Sequence, residues 1–163
     1  MRQAILIVMG VAGSGKSTVG RLLAERLGWP FLDGDDFHPP ENVEKMRRRE
    51  PLTDADRPPW LERLRDLAAA FLARGESAVL ACSALKESYR RTLAGGDPRV
   101  RFVYLRADPD LLASRLETRT GHFFARALLE SQLAALEEPA EAVAVDASLP
   151  AEAAVREILQ GIF

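Results

Sequence analysis

Disulfide chemistry is the first thing the sequence excludes. It has one cysteine, Cys82, so no internal disulfide framework can staple the fold. That accords with a reducing compartment, and the expected location is cytoplasmic. Long apolar runs are also missing. The run that opens the chain, Ala4-Ile5-Leu6-Ile7-Val8-Met9, has six residues, too few for a signal-peptide core or a membrane span. Neither sign of charge dominates: the net charge is −2, which gives no general pull toward nucleic acid or acidic membranes. Binding a polyanion would need a local basic patch, and Arg47-Arg48-Arg49 is short enough to read as a solvated helix face. Internal repeats and low-complexity tails are absent from the sequence. What remains is ordinary for one globular domain: 163 residues, 47% hydrophobic and 28% charged.

The informative segment runs from Gly10 to Ser17, G-V-A-G-S-G-K-S. It matches the phosphate-loop pattern G-x-x-x-x-G-K-[ST]. Glycines let the backbone turn tightly, so that successive N–H groups point into one anion site. Lys16 is spaced to reach the β- and γ-phosphates, and the Ser17 hydroxyl to ligate Mg²⁺. The nucleotide-binding candidates are Gly10, Val11, Ala12, Gly13, Ser14, Gly15, Lys16, Ser17 and Thr18. An apolar β-type run precedes the loop. A helical pattern follows, with Val19, Leu22, Leu23 and Leu27 on one side.

Apolar runs and amphipathic helical segments alternate along the whole chain. The pattern predicts strands at Ile5–Met9, Pro30–Leu32, Ala78–Cys82, Arg101–Leu105 and Ala142–Val145. It predicts helices at Lys16–Leu27, Pro59–Arg74, Lys86–Ala94, Pro109–Leu116, Phe124–Leu136 and Pro150–Gln160. Thr53 or Asp54 is expected to cap the second helix, and Gly28, Gly75 and Gly95 to end helices. Such alternation argues an α/β fold, a parallel sheet covered on both faces, with ligands at the carboxyl ends of its strands. The whole chain, 1–163, is expected to form one domain. Three insertions should face the loop: 34–58, 83–92 and 117–123. The first and second suit an acceptor pocket and the third a lid.

Asp33-Gly34-Asp35-Asp36 closes the second strand. No Asp or Glu closes the third, where Cys82-Ser83 stand instead. The carboxylate that serves the metal must then come from Asp33 or Asp35. These lie two apart on one side of an extended segment, so one can serve the metal while the other takes a proton from an alcohol. The 34–58 segment is rich in polar donors and prolines, as a polyhydroxy acid would need. Lys86 and Arg90 share a helix face and, with Ser83, form a candidate anion site. Cys82 reads as a buried small hydrophobe rather than a nucleophile.

These stretches, taken together and in order, resemble the bacterial-type gluconokinases. The carriers are G-V-A-G-S-G-K-S, L-D-G-D-D-F-H-P-P-E-N-V-E-K-M, P-L-T-D-A-D-R-P-P-W-L, C-S-A-L-K-E-S-Y-R-R and R-T-G-H-F-F. The resemblance implies ATP-dependent phosphorylation of D-gluconate with Mg²⁺. It implies a three-layer P-loop NTPase fold with strand order 2-3-1-4-5, a small lid, and often a homodimer. It makes Lys16, Asp35 and Arg119 the catalytic candidates, and Ser17 and Asp33 the metal site. Asp35, His38, Lys45, Lys86, Arg90 and His122 become substrate-binding candidates. Arg119 stands beside the nucleotide, on adenine or on phosphate, and the loop 146–150 lies where relatives cradle the base. One departure stands out: Arg49 occupies a position where the family often has glycine.

Two other readings share the phosphate loop. Another kinase of this fold, such as a shikimate or nucleoside-monophosphate kinase, would take a different acceptor. A nucleotide-dependent switch would need no acceptor pocket and leaves Asp33 and Asp35 without work.

Overall fold

In a computed structural model, which describes residues 2–120 and 122–163 without the side chains of 119–125, the strands are β1 Ile5–Met9, β2 Phe31–Asp33, β3 Ala78–Ala81, β4 Val100–Arg106 and β5 Val143–Asp146. The helices are α1 Lys16–Leu27, α2 Pro40–Arg47, α3 Pro58–Ala73, α4 Glu87–Ala94, α5 Pro109–Thr120, α6 His122–Ala135 and α7 Ala151–Ile162. The strands form one parallel sheet in the order β2-β3-β1-β4-β5. β1 lies at the centre, between β3 and β4, where the chain's course across the sheet reverses. That reversal opens a crevice at the carboxyl end of β1, and the phosphate loop fills it.

Alternation along β1 builds two cores. Ile5, Ile7 and Met9 pack with Trp60, Leu61 and Leu64 of α3 and with Tyr89 and Leu93 of α4. Leu6 and Val8 face the other way, onto Val19 and Leu23 of α1 and Val155 and Ile158 of α7. Each fully buried aliphatic side chain contributes about 2 kcal/mol. A third cluster, Val11, Leu85, Leu112, Leu116 and Leu129, packs α5 and α6 beside the loop.

Two elements depart from expectation. Residues 34–58 contain a 3₁₀ turn, Gly34–Phe37, and helix α2. α2 has little amphipathic signature because Val43 and Met46 are exposed; Pro40 at its first position starts it. The expected break after Leu116 is absent: α5 runs to Thr120, since the polar residues Glu117 and Thr118 sit on its exposed face. The cap of α3 also differs. Arg57 precedes Pro58 at the helix start and no side chain caps it. Asp56 turns back instead and accepts from the Thr53 N–H at 2.8 Å.

Candidate active site

The site begins with backbone geometry. Gly15 adopts φ 95°, in the left-handed region, and α1 starts at Lys16 directly behind it. Lys16 bends back, its Nζ donating to the Val11 carbonyl at 3.2 Å. Ser14 Oγ is buried without a hydrogen-bond partner among the described residues, a polar atom left over in an anion-binding loop. Neighbouring helices grip the loop from outside. Arg115 of α5 donates to the carbonyls of Gly13 (3.0 Å) and Ser14 (3.4 Å), and also to Ala147 (2.8 Å) in the turn after β5. Gln132 of α6 accepts from the Ala12 N–H at 2.5 Å. In sequence, Arg115 reads either as a second arginine of the third insertion, one turn before Arg119, or as the polar face of a helix; its bracing of the loop carbonyls is not legible there. Nothing in the sequence singles out Gln132.

The carboxyl end of β2 brings the acidic pair to the loop. Gly34 passes so close to β3 that a Cβ there would lie 2.7 Å from the Ala81 carbonyl oxygen, which explains glycine in D-G-D. Its own carbonyl accepts from Trp60 Nε1 at 2.8 Å. Asp33 caps the following turn, accepting from the Asp35 N–H at 3.0 Å, while its other oxygen accepts from Ser17 Oγ at 3.4 Å. The two residues predicted to hold the metal therefore meet. Hard oxygen donors of this kind suit Mg²⁺. Among the described residues no group of three or more His, Cys, Asp or Glu could hold a metal ion.

The Asp35 side chain is exposed. The His38 ring, its Nε2 3.7 Å from Oδ1, holds this carboxyl below the usual carboxylate range; Lys16 and Arg57 add to the pull, against desolvation. Asp35 is thus ionised at neutral pH. Arg57, which sequence reasoning passed over, adds a cation to this wall and lies over the Tyr89 ring at 5.4 Å.

The predicted acceptor residues are placed unevenly. His38 is buried, with its ring stacked on Trp60 at 4.1 Å. Lys45 Nζ is 2.7 Å from Asp56 Oδ2. Lys86 Nζ lies 2.8 and 2.9 Å from the two oxygens of Asp54, which also accepts from the Tyr89 hydroxyl. Asp54 raises the Lys86 ammonium above its ordinary value. Arg90 stands apart from these three. It is buried, donates to the carbonyls of Ala84 and Glu137 at 2.7 Å each, and so braces the loop after β3, where Ala84 has φ 48°. It also lines a groove of about 840 Å³ with Val100 and Val143 at the amino ends of β4 and β5. Burial pushes the Cys82 thiol up to about 12, which agrees with an inert core cysteine. Arg119 and His122 lie outside the described side chains.

A phosphate loop at the centre of a 2-3-1-4-5 sheet, facing an acidic turn, defines a P-loop small-molecule kinase. A family model described as shikimate kinase matches residues 12–162. A gluconokinase of Gluconobacter oxydans is 51% identical over 141 residues, covering 86% of this chain and 79% of its own. The thermoresistant gluconokinase of Escherichia coli is 43% identical, over 97% of this chain and 93% of its own. The crystal structure of a gluconokinase from Sinorhizobium meliloti superposes with a TM-score of 0.89 at 46% identity, covering 99% and 93% of the two chains. Within the broader kinase class, the chain belongs to the gluconokinase family.

Proposed function

We infer that this enzyme transfers the γ-phosphoryl group of ATP to the terminal hydroxyl of D-gluconate, giving 6-phospho-D-gluconate. The observation that carries the reading is the acidic turn. An exposed carboxylate, Asp35, stands on the same short segment as Asp33, which touches the phosphate-loop serine. Relatives named gluconokinase at 43–51% identity supply the acceptor. The second kinase reading, a shikimate-type acceptor, rests on the fold family alone.

Each residue then has a task. The loop amides and Lys16 bind the phosphates, and Arg115 keeps the loop in shape. Ser17 and Asp33 would hold Mg²⁺, which when bound supplies charge neutralisation at the transferring phosphoryl group. Asp35 orients the attacking hydroxyl and accepts its proton late, as a loose transition state requires. Lys45 and Lys86 offer cations for the carboxylate of the sugar acid, within an acceptor segment at 34–58. Arg119 and His122 belong to the proposed lid, 117–123, which would exclude water on closing. No helix among the described residues is long and apolar enough to cross a membrane. A reduced, buried Cys82 suits a cytoplasmic enzyme. A homodimer is the assembly the resemblance implies, and light scattering would check it.

ADP release with Mg-ATP, measured across D-gluconate, other aldonates, shikimate, AMP and no acceptor, tests the reading. Strong stimulation by gluconate is expected; stimulation by a different acceptor instead would overturn it. Asp35→Asn should lower kcat by about 100-fold or more while ATP affinity changes little. Near-full kcat would remove the role given to Asp35.

A further inference from the structure

The His38 side chain is 2% exposed and sits behind Asp35, whose own side chain is 77% exposed. Burial of this kind suits a brace better than a ligand. The tautomer of the ring follows from its neighbours. Asn42 Nδ2 donates to the Asp56 backbone carbonyl at 2.9 Å. A carbonyl only accepts, so that end of the amide is its NH₂ group and the amide orientation is fixed. The second hydrogen of the same nitrogen faces His38 Nδ1 at 3.2 Å. Nδ1 must accept, and the ring hydrogen is left on Nε2. Nε2 is 3.7 Å from Asp35 Oδ1. Stacking on Trp60, with the planes 16° apart, keeps the ring from turning. Trp60 is itself pinned by its bond to Gly34. Contacts of this length at working groups commonly tighten when substrate binds.

We propose that Asn42 and His38 are a positioning pair for Asp35: the Asn42 amide fixes the ring hydrogen on Nε2, and that N–H aims the Asp35 carboxylate at the acceptor hydroxyl. His38 thereby moves from substrate ligand to positioning residue, and Asn42 gains a role of its own. The proposal rests on the reading of Asp35 given above.

Two measurements on the whole chain test this. Long-range ¹H–¹⁵N NMR reads the tautomer directly, because the chain has only two histidines and a His122→Gln spectrum leaves His38 alone. A ring protonated at Nε2 is expected; the Nδ1–H form would overturn the proposal. The second measurement is steady-state kinetics. His38→Phe keeps the stack on Trp60 and removes both nitrogens. It should lower kcat about tenfold or more, the scale of losing an outer partner of a working group, while gluconate KM holds within about twofold. His38→Gln, whose amide N–H falls near the Nε2 position, should recover part of the loss, and His38→Asn should not. In an Asp35→Asn background, His38→Phe should cost nothing further, since the two act as a unit. A raised gluconate KM at unchanged kcat would make His38 a substrate ligand after all. Full kcat in Asp35→Asn would overturn the proposal through its target, while gluconate-stimulated ADP release by the unaltered protein would still uphold the proposed function. Should His38→Phe fail to fold, the tautomer of the unaltered protein decides.

Discussion

Arg49 shows how a single residue records its place in the chain. The end of α2 is closed by the Glu50 N–H bonding to the Lys45 carbonyl at 2.9 Å and the Arg49 N–H to that of Met46 at 3.0 Å. This is the Schellman pattern, which favours glycine at its left-handed position. Here Arg49 holds it, with φ 60°. Arg49→Gly should remove strain of about 1 kcal/mol and raise Tm by about 2 °C in a thermal melt; an unchanged or lowered Tm would mean that the arginine's own contacts outweigh the strain. Arg115 makes the opposite case. Three backbone carbonyls on two loops depend on it. Arg115→Met should raise the KM for ATP about tenfold, the size of one charge-assisted hydrogen bond, with gluconate KM nearly constant. At this scale the sequence disclosed what lies within a motif: the loop glycines, Lys16, Ser17 and the D-G-D turn. It did not disclose Gln132, whose contact lies 120 residues away from the loop amide it meets. Pairing at that range depends on the fold as a whole and leaves no local pattern.

Among the elements, those with a buried face were legible and those held by polar contacts were not. All five strands and the larger helices except α5, which runs four residues past its expected end, appear within one or two residues of their expected bounds. Helix α2 was hidden because its apolar residues face solvent and its attachment is polar. Asn42 and Lys45 join it to the turn at residues 53–56. Asp56 is the hub of that turn. Lys45 first, and then the Thr53 N–H, hold its carboxyl down at about 2 against an ordinary 3.8. A depressed folded-state value means that the contribution to stability is complete above about pH 4 and disappears as pH falls toward 2. Asp56→Asn should therefore unfold at lower temperature than the wild type at pH 7. The gap should close as both are titrated from pH 4 to pH 2, as differential scanning fluorimetry would show. A gap that stays constant with pH would mean the turn does not depend on the charge.

Across the whole molecule, strand order and the position of the phosphate loop followed from alternating elements and one motif. The partition of the cleft did not, because it depends on which neighbour each face of the sheet meets. The core on the side of Ile5, Ile7 and Met9 contains Trp60, Ala84 and Tyr89, which border the proposed acceptor wall. The core on the side of Leu6 and Val8 contains Val19 of α1 and Ala147 beside Arg115, which border the proposed nucleotide wall. On the proposed function, β1 is thus a party wall between two rooms, one per substrate. Ile7 and Val8 are neighbours in sequence, yet damage to each should be felt in a different room. Ile7→Val should cost about 0.5–1.5 kcal/mol of stability and Val8→Ala somewhat more, but the first should weaken gluconate saturation and the second ATP saturation, in kinetics run well below Tm. If both variants shift the same KM, the wall is not a partition. If they diverge, one peptide bond separates the enzyme's grip on its phosphate donor from its grip on the acceptor.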